Sequence, residues 1–248
     1  MMQPVNPAIT DLPLKTAGDF RAALIDYVGL LLALVLEIVV FSLISAHQGR
    51  AFFSADTFRT IINELPAGAI MTVGMTYVLM IGGIDLSVGS VMGLSSAVVG
   101  VLMVQCRESL PLAVAAGIAA GLVCGLINGL ISVGWRLPSF IVTLGMLEIA
   151  RGMIHVVTGS HTQYVGDAVG NLASVSVGGL SLLFFIAAII VVAGQVVLQR
   201  TVFGRYVTAI GNNELAVRYS GVNPGSTKTL VYILCGLLAG IAGVVEVA

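Results

Sequence analysis

The stretch Met80-Ile-Gly-Gly-Ile-Asp-Leu-Ser-Val-Gly-Ser90 is where side-chain chemistry first concentrates in this sequence. Paired glycines separate two apolar runs, with Asp85 and Ser87 between them. Gly82-Gly83 is expected to end the incoming helix. Asp85 or Ser87 is expected to cap the outgoing one by accepting its free N–H groups. A glycine-interrupted apolar run offers backbone dipoles to a polar solute and so points to a transport pathway. The competing reading is an ordinary turn at the cytoplasmic surface with a capping Asp. A second cluster is Glu148, Arg151 and His155, which steps of three and four place on one helix face, with Glu148 able to pair with Arg151. It reads as a structural ion pair, a proton relay or part of a solute path. Asn128 is expected to hydrogen-bond between helices, with a substrate ligand as the alternative, and Glu37 to face the bundle or a second subunit.

A third constellation runs from Phe203 to Pro224. Asn212 or Asn213 is placed to N-cap a short helix, Glu214 and Arg218 form an i,i+4 pair, and Gly221 supplies a stop. Leu215 and Tyr219 share a face of that helix, with Arg218 beside it. Two helical turns are marginal in water by themselves. The segment therefore reads as docking on a cytosolic partner, with a solvated linker as the alternative. Gly225-Ser-Thr-Lys-Thr229 imitates a phosphate loop, but Thr227 stands where that motif requires glycine, and no strand precedes it. ATP binding within this chain is rejected. The cysteines Cys106, Cys124 and Cys235 show no ligand or disulfide spacing and read as buried packing residues.

Composition sets the surroundings of these groups. Of 248 residues, 58% are apolar and only 9% charged, with a mean hydropathy of +1.06. Eleven Lys and Arg cannot coat a soluble globule of 25.6 kDa, and a net charge of −1 argues against a nucleic-acid partner. The expected fold is all-α, a polytopic membrane bundle of about seven spans at 27–46, 66–82, 87–105, 111–134, 139–157, 180–198 and 229–248. Residues 1–26 read as a polar cytoplasmic segment with Pro4, Pro7 and Pro13, and 27–248 as a single transmembrane domain. With the N-terminus inside, Lys15, Arg21, Arg136, Arg200, Arg205, Arg218 and Lys228 are cytoplasmic, and only Arg50, Arg59 and Arg107 are external. Loop 158–179, which lacks Lys and Arg, is then external, and loop 199–228 is cytoplasmic. Gly117, Gly121, Gly125 and Gly129 form a stripe on the fourth span. It is expected to pack closely inside the bundle, as are Gly236 and Gly240. The chain ends within an apolar run, which reads as a truncated sequence.

The motifs jointly resemble those of bacterial ABC sugar-importer permeases of the ribose/galactose/xylose type. The resemblance is carried by Gly74–Ser90, Gly125-Leu-Ile-Asn-Gly129, Pro138–Gly145 with Arg151-Gly152, and Gly204-Arg-Tyr206 through Ala209–Ala216 to Ser220-Gly221. These blocks run in family order from about residue 65 to the end of the chain. Branched-chain amino-acid permeases share mainly the general layout. The resemblance implies an inner-membrane permease that is not itself an enzyme and binds no cofactor. ATP and Mg would be held by cytosolic ABC ATPase subunits. The other implied partners are membrane lipid, a second permease copy or paralogue, and a periplasmic sugar-binding protein. It also implies ATPase docking through Gly211, Asn213, Glu214, Leu215, Ala216, Arg218, Tyr219 and Gly221, and a translocation path near Asp85, Ser87, Asn128, Thr143 and Arg151. Glu148 departs from the family pattern, where an uncharged residue is expected. A proton- or ion-coupled secondary transporter and a non-transporting remnant are the alternative functions.

Overall fold

The computed structural model describes residues 17–47, 49, 51–165 and 176–247. The expectations for Lys15, Arg50, the N-terminal prolines and residues 166–175 of the external loop lie outside the described residues. The chain divides into two compact units, Met1–Phe58 and Arg59–Ala248. The first carries α1 (Ala17–His47), whose apolar part, Tyr27–His47, has a mean hydropathy of 2.7. It ends at the start of α2 (Ala55–Met80), where Ser54 Oγ accepts from the Thr57 N–H at 3.1 Å and caps the helix.

The second unit contains the remainder of α2, then α3 (Val88–Val104), α4 (Leu110–Gly134) and α5 (Ser139–Thr158). After them come α6 (Leu182–Arg200), α7 (Val202–Tyr219) and α8 (Pro224–Val247). A helix accordingly covers each of the seven expected spans. Five of these, α1, α4, α5, α6 and α8, are long and apolar enough to cross a membrane. The other two differ. α2 begins eleven residues before the expected span at 66, because the Ser54 cap lets its polar first turns satisfy their own backbone before the apolar part starts. α3 has only 17 residues, one residue shorter at each end than the expected span 87–105. One all-α expectation is modified. Ser176–Val177 and Leu180–Ser181 pair antiparallel around Gly178-Gly179, whose φ values of 64° and 88° suit a tight hairpin turn.

α8 is the innermost helix, and Gly121, Gly125 and Gly129 of the α4 stripe lie on it, while Gly117 faces Ser95 and Val99 of α3. A Cβ at Gly121 would stand 2.7 Å from Gly240 Cα, and one at Gly125 would stand 2.9 Å from Gly236 Cα. Backbone therefore meets backbone along this seam, the arrangement small residues permit where lipid offers no hydrophobic drive between helices. α3 is tied to the same helix by Ser95 Oγ, which donates to the Gly240 carbonyl at 2.8 Å, and by Ser96 Oγ, which donates to Gly243 at 2.7 Å. On the other side, the Tyr77 hydroxyl of α2 donates to the Gly194 carbonyl of α6 at 2.6 Å. Cys124 and Cys235 are buried as expected. Cys106 is not. It falls in the turn between α3 and α4 and is exposed.

Candidate functional site

The link between α2 and α3 is the chemical centre of the second unit. α2 stops at Gly82 (φ 73°), with the Gly83 N–H donating back to the Val78 carbonyl at 2.9 Å. The chain then runs through Ile84, Asp85 and Leu86 without helix or strand before α3 starts. Asp85 and Ser87 are buried at 4% and 1% exposure while Ile84 and Leu86 are exposed, so the link turns its polar side chains into the protein and its apolar ones outward. It abuts Asn128, which lies six residues before the end of α4, about 9 Å along that helix at 1.5 Å per residue. Non-helical backbone at membrane depth is tolerated only where protein supplies its hydrogen bonds. Here α5 supplies them. Ser139 Oγ accepts from the Ile84 N–H at 3.0 Å and Thr143 Oγ1 accepts from the Leu86 N–H at 3.1 Å. Thr143 donates in turn to the Ile84 carbonyl at 3.3 Å.

Asp85 organises the side chains. Its Oδ1 accepts from the Ser87 N–H at 2.9 Å and from Ser87 Oγ at 2.6 Å, while Asn128 Nδ2 donates to Ser87 Oγ at 2.9 Å. The Cys235 thiol lies against the same carboxyl. Among the described residues no basic side chain pairs with Asp85. The expected capping of α3 is thus corrected. Ser87 occupies the N-cap position but makes no side-chain cap, because its hydroxyl is engaged by Asp85 and Asn128. Four of the five expected pathway residues, Asp85, Ser87, Asn128 and Thr143, meet in this one sealed network. Arg151 does not join it. Arg151 is exposed on α5 and its guanidinium stands 3.4 Å from Glu148, the pairing read from their spacing. Sequence reasoning missed Ser139 as a ligand of the link. Its hydroxyl three residues after Arg136, at the start of an apolar run, was the available signal.

The segment expected to dock, 211–221, has a different geometry. α7 breaks at Asn213 (φ −160°, ψ 93°), and Asn213 Oδ1 accepts from the Ala216 N–H at 3.0 Å, so Asn213 caps a new short helix. That helix ends at Gly221, whose φ of 82° is the stop expected of it. Val217, 8% exposed, is its foot, packed with Val207, Ile210 and Val231. Leu215 and Tyr219 project outward at 64% and 88% exposure. Glu214 is the anchor. It accepts from Lys228 Nζ of α8 at 2.6 Å and stands 3.9 Å from Arg218. Lys228 is a partner that sequence reasoning did not assign, since it lies beyond helical spacing. Gly211 serves packing, because a Cβ there would overlap the Met80 carbonyl oxygen of α2. Residues 225–229 form the first turn of α8, not a phosphate loop.

A family model described as the permease component of the branched-chain amino acid transport system matches residues 57–248. The ribose import permease protein of Escherichia coli K12 is 37% identical over 223 residues, covering 88% of this chain and 68% of that protein. The fructose import permease protein of Rhizobium meliloti is 33% identical, covering 86% and 61%. The galactofuranose transporter permease protein of Escherichia coli K12 is 32% identical, covering 88% and 65%. No solved structure matches the chain. The resemblance read from the motifs is borne out by these relatives. A bundle of apolar helices, interrupted by a link whose polar side chains are buried and bearing a capped helix outside it, belongs to the family of branched-chain amino acid transport system permease components, as a membrane translocation subunit and not an enzyme.

Proposed function

We propose that this chain is the transmembrane subunit of an ATP-driven importer for a monosaccharide, worked by a cytosolic ABC ATPase that grips residues 211–221. One observation carries the reading. The short helix after Asn213 is capped at its start and anchored through Glu214 to Lys228, yet it presents Leu215 and Tyr219 to the outside. A two-turn helix held rigidly with apolar side chains outward has the form of a docking element, not of a solvated linker. The sugar class is supported by the ribose, fructose and galactofuranose permeases to which the chain is similar. ATP and Mg act on the partner ATPase. A periplasmic sugar-binding protein delivers the solute. The N-terminus lies in the cytoplasm, as the seven-to-three distribution of basic residues supports.

The path runs between two permease copies. Glu148 and Arg151 stand exposed on α5 beside the equally exposed Leu144, Ile149 and Met153. A charge facing lipid costs about 2.5–3.5 kcal/mol at the centre of a span. That face is therefore read as meeting the second copy around a watery path, with the Asp85 network holding the α2–α3 link in position behind it. Closure of the ATPases would move residues 211–221, and the Glu214–Lys228 tie would pass that movement to α8 and, through the glycine seam, to α4. The test is uptake into vesicles containing the permease, its ATPase and the sugar receptor. Uptake is expected to require ATP, and Leu215→Glu is expected to abolish ATPase co-purification. Sugar uptake driven by an ion gradient with no ATPase present would overturn the proposal.

A further inference from the structure

An open cavity of about 540 Å³ lies between the α2–α3 link and residues 211–221, the coupling segment of the proposed function, bordered among others by Ser132, Arg136, Glu214, Arg218 and Lys228. Its charge is unbalanced. Three cations face one carboxylate, and Glu214 is already bonded to Lys228 at 2.6 Å and lies 3.9 Å from Arg218. Arg136, in the α4–α5 turn with φ 54°, has no partner among the described residues. Ser132 is 9% exposed, and its Oγ has no hydrogen-bond partner. The amino end of α5 reaches the cavity at Pro138 and Ser139, and no side chain caps that helix. A helix amino end, two arginines, a lysine and a free hydroxyl converge on one concavity, an arrangement that favours an anion with several acceptor oxygens.

We propose that this cavity binds a phosphate group, carried either by a soluble phosphate ester or by an anionic lipid headgroup. A bound phosphate would engage Arg136 and Arg218 and compete with Glu214 for Lys228. Occupancy would then loosen the anchor of the coupling segment. The site rests on this chain's own charges. It stands or falls separately from ATPase docking, which Leu215→Glu reads.

The experiment uses the full chain and two arms. In neutral detergent at fixed ionic strength, inorganic phosphate is expected to raise Tm by about 2–4 °C relative to chloride. In nanodiscs of equal phosphatidylglycerol and phosphatidylcholine, native mass spectrometry reads which lipid stays bound. A phosphate-dependent shift identifies a soluble source, and selective retention of phosphatidylglycerol identifies the lipid. In either case Arg136→Asn, which removes the charge but tolerates the left-handed backbone, is expected to weaken binding at least about tenfold. Should Arg136→Asn fail to fold, Lys228→Met gives the same reading. Neither signal in the folded wild type, or a signal unchanged in both variants, overturns the proposal.

Discussion

Two segments of the second unit leave the membrane-helix pattern, and they handle their polar groups in opposite ways. The link 81–87 turns Asp85 and Ser87 inward and leaves Ile84 and Leu86 outside, with Ser139 and Thr143 accepting from its backbone and Asn128 donating to Ser87 in place of the water that a loop would use. The segment 211–221 turns a single valine inward and gives the rest of its face to the outside. A buried irregular segment needs nearly every N–H satisfied by protein, so each of its partners matters to folding. A surface helix with one buried foot tolerates exchange, so its exposed residues are available for association. The difference separates residues that hold the bundle together from residues of the proposed docking face.

The sharpest way to break this comparison is at the seam supporting the link. Gly125→Leu would push a side chain into the Tyr232–Gly236 backbone of α8 and is expected to cost ~3 kcal/mol or more, read as loss of monodisperse protein in detergent. Normal yield and Tm would mean that the helices do not touch there. The next effect is smaller. Thr143→Val keeps the shape but leaves the Leu86 N–H unpaired, and is expected to cost about 1–3 kcal/mol in unfolding, with ATPase co-purification intact. Lys228→Met removes the half-buried partner of Glu214. It is expected to lower stability by about 1 kcal/mol and to weaken co-purification without abolishing it, a mixed result because this pair joins the two regimes. Tyr219→Ala, on the outward face, is expected to change stability by no more than about 0.5 kcal/mol while reducing co-purification severalfold. A Tyr219 variant that unfolds the bundle would show that the helix is packed and not displayed. The smallest effect is expected for Arg151→Gln, whose exposed pair with Glu148 contributes ~0.5 kcal/mol or less in detergent, as thermal unfolding would read.

Local pattern made much of this legible. The capping asparagine, the Gly221 stop and the Glu214–Arg218 spacing are short-range features. A two-turn helix has few alternatives once its ends are specified, so the short helix after Asn213 could be read from its own residues. The Asp85 link was legible as a break but not as a place. Periodicity shows where a helix ends. It does not show whether the interruption lies at the surface or is buried against Asn128 of α4, forty-three residues further along the chain. That depth depends on Ser139 and Thr143, 55 and 57 residues away from their backbone partners, reaching those N–H groups.

The glycine stripe follows the same division. Its spacing alone requires a close neighbour on one face of α4, because four absent side chains in register leave a groove that lipid tails fill poorly. Which neighbour fills it, α8 within this chain or the same helix of a second copy, is a matter of tertiary contact, and Gly236 and Gly240 decide it. Composition and hydropathy, summed over the whole chain, determined the solvent and therefore the helical class, since a bilayer admits few backbone solutions. Tertiary structure decided which polar residues share a network, that Lys228 holds Glu214, and that Arg136 meets Arg218 across a cavity. Those pairings join residues far apart in sequence, and no local periodicity encodes a distance between elements that only packing brings together.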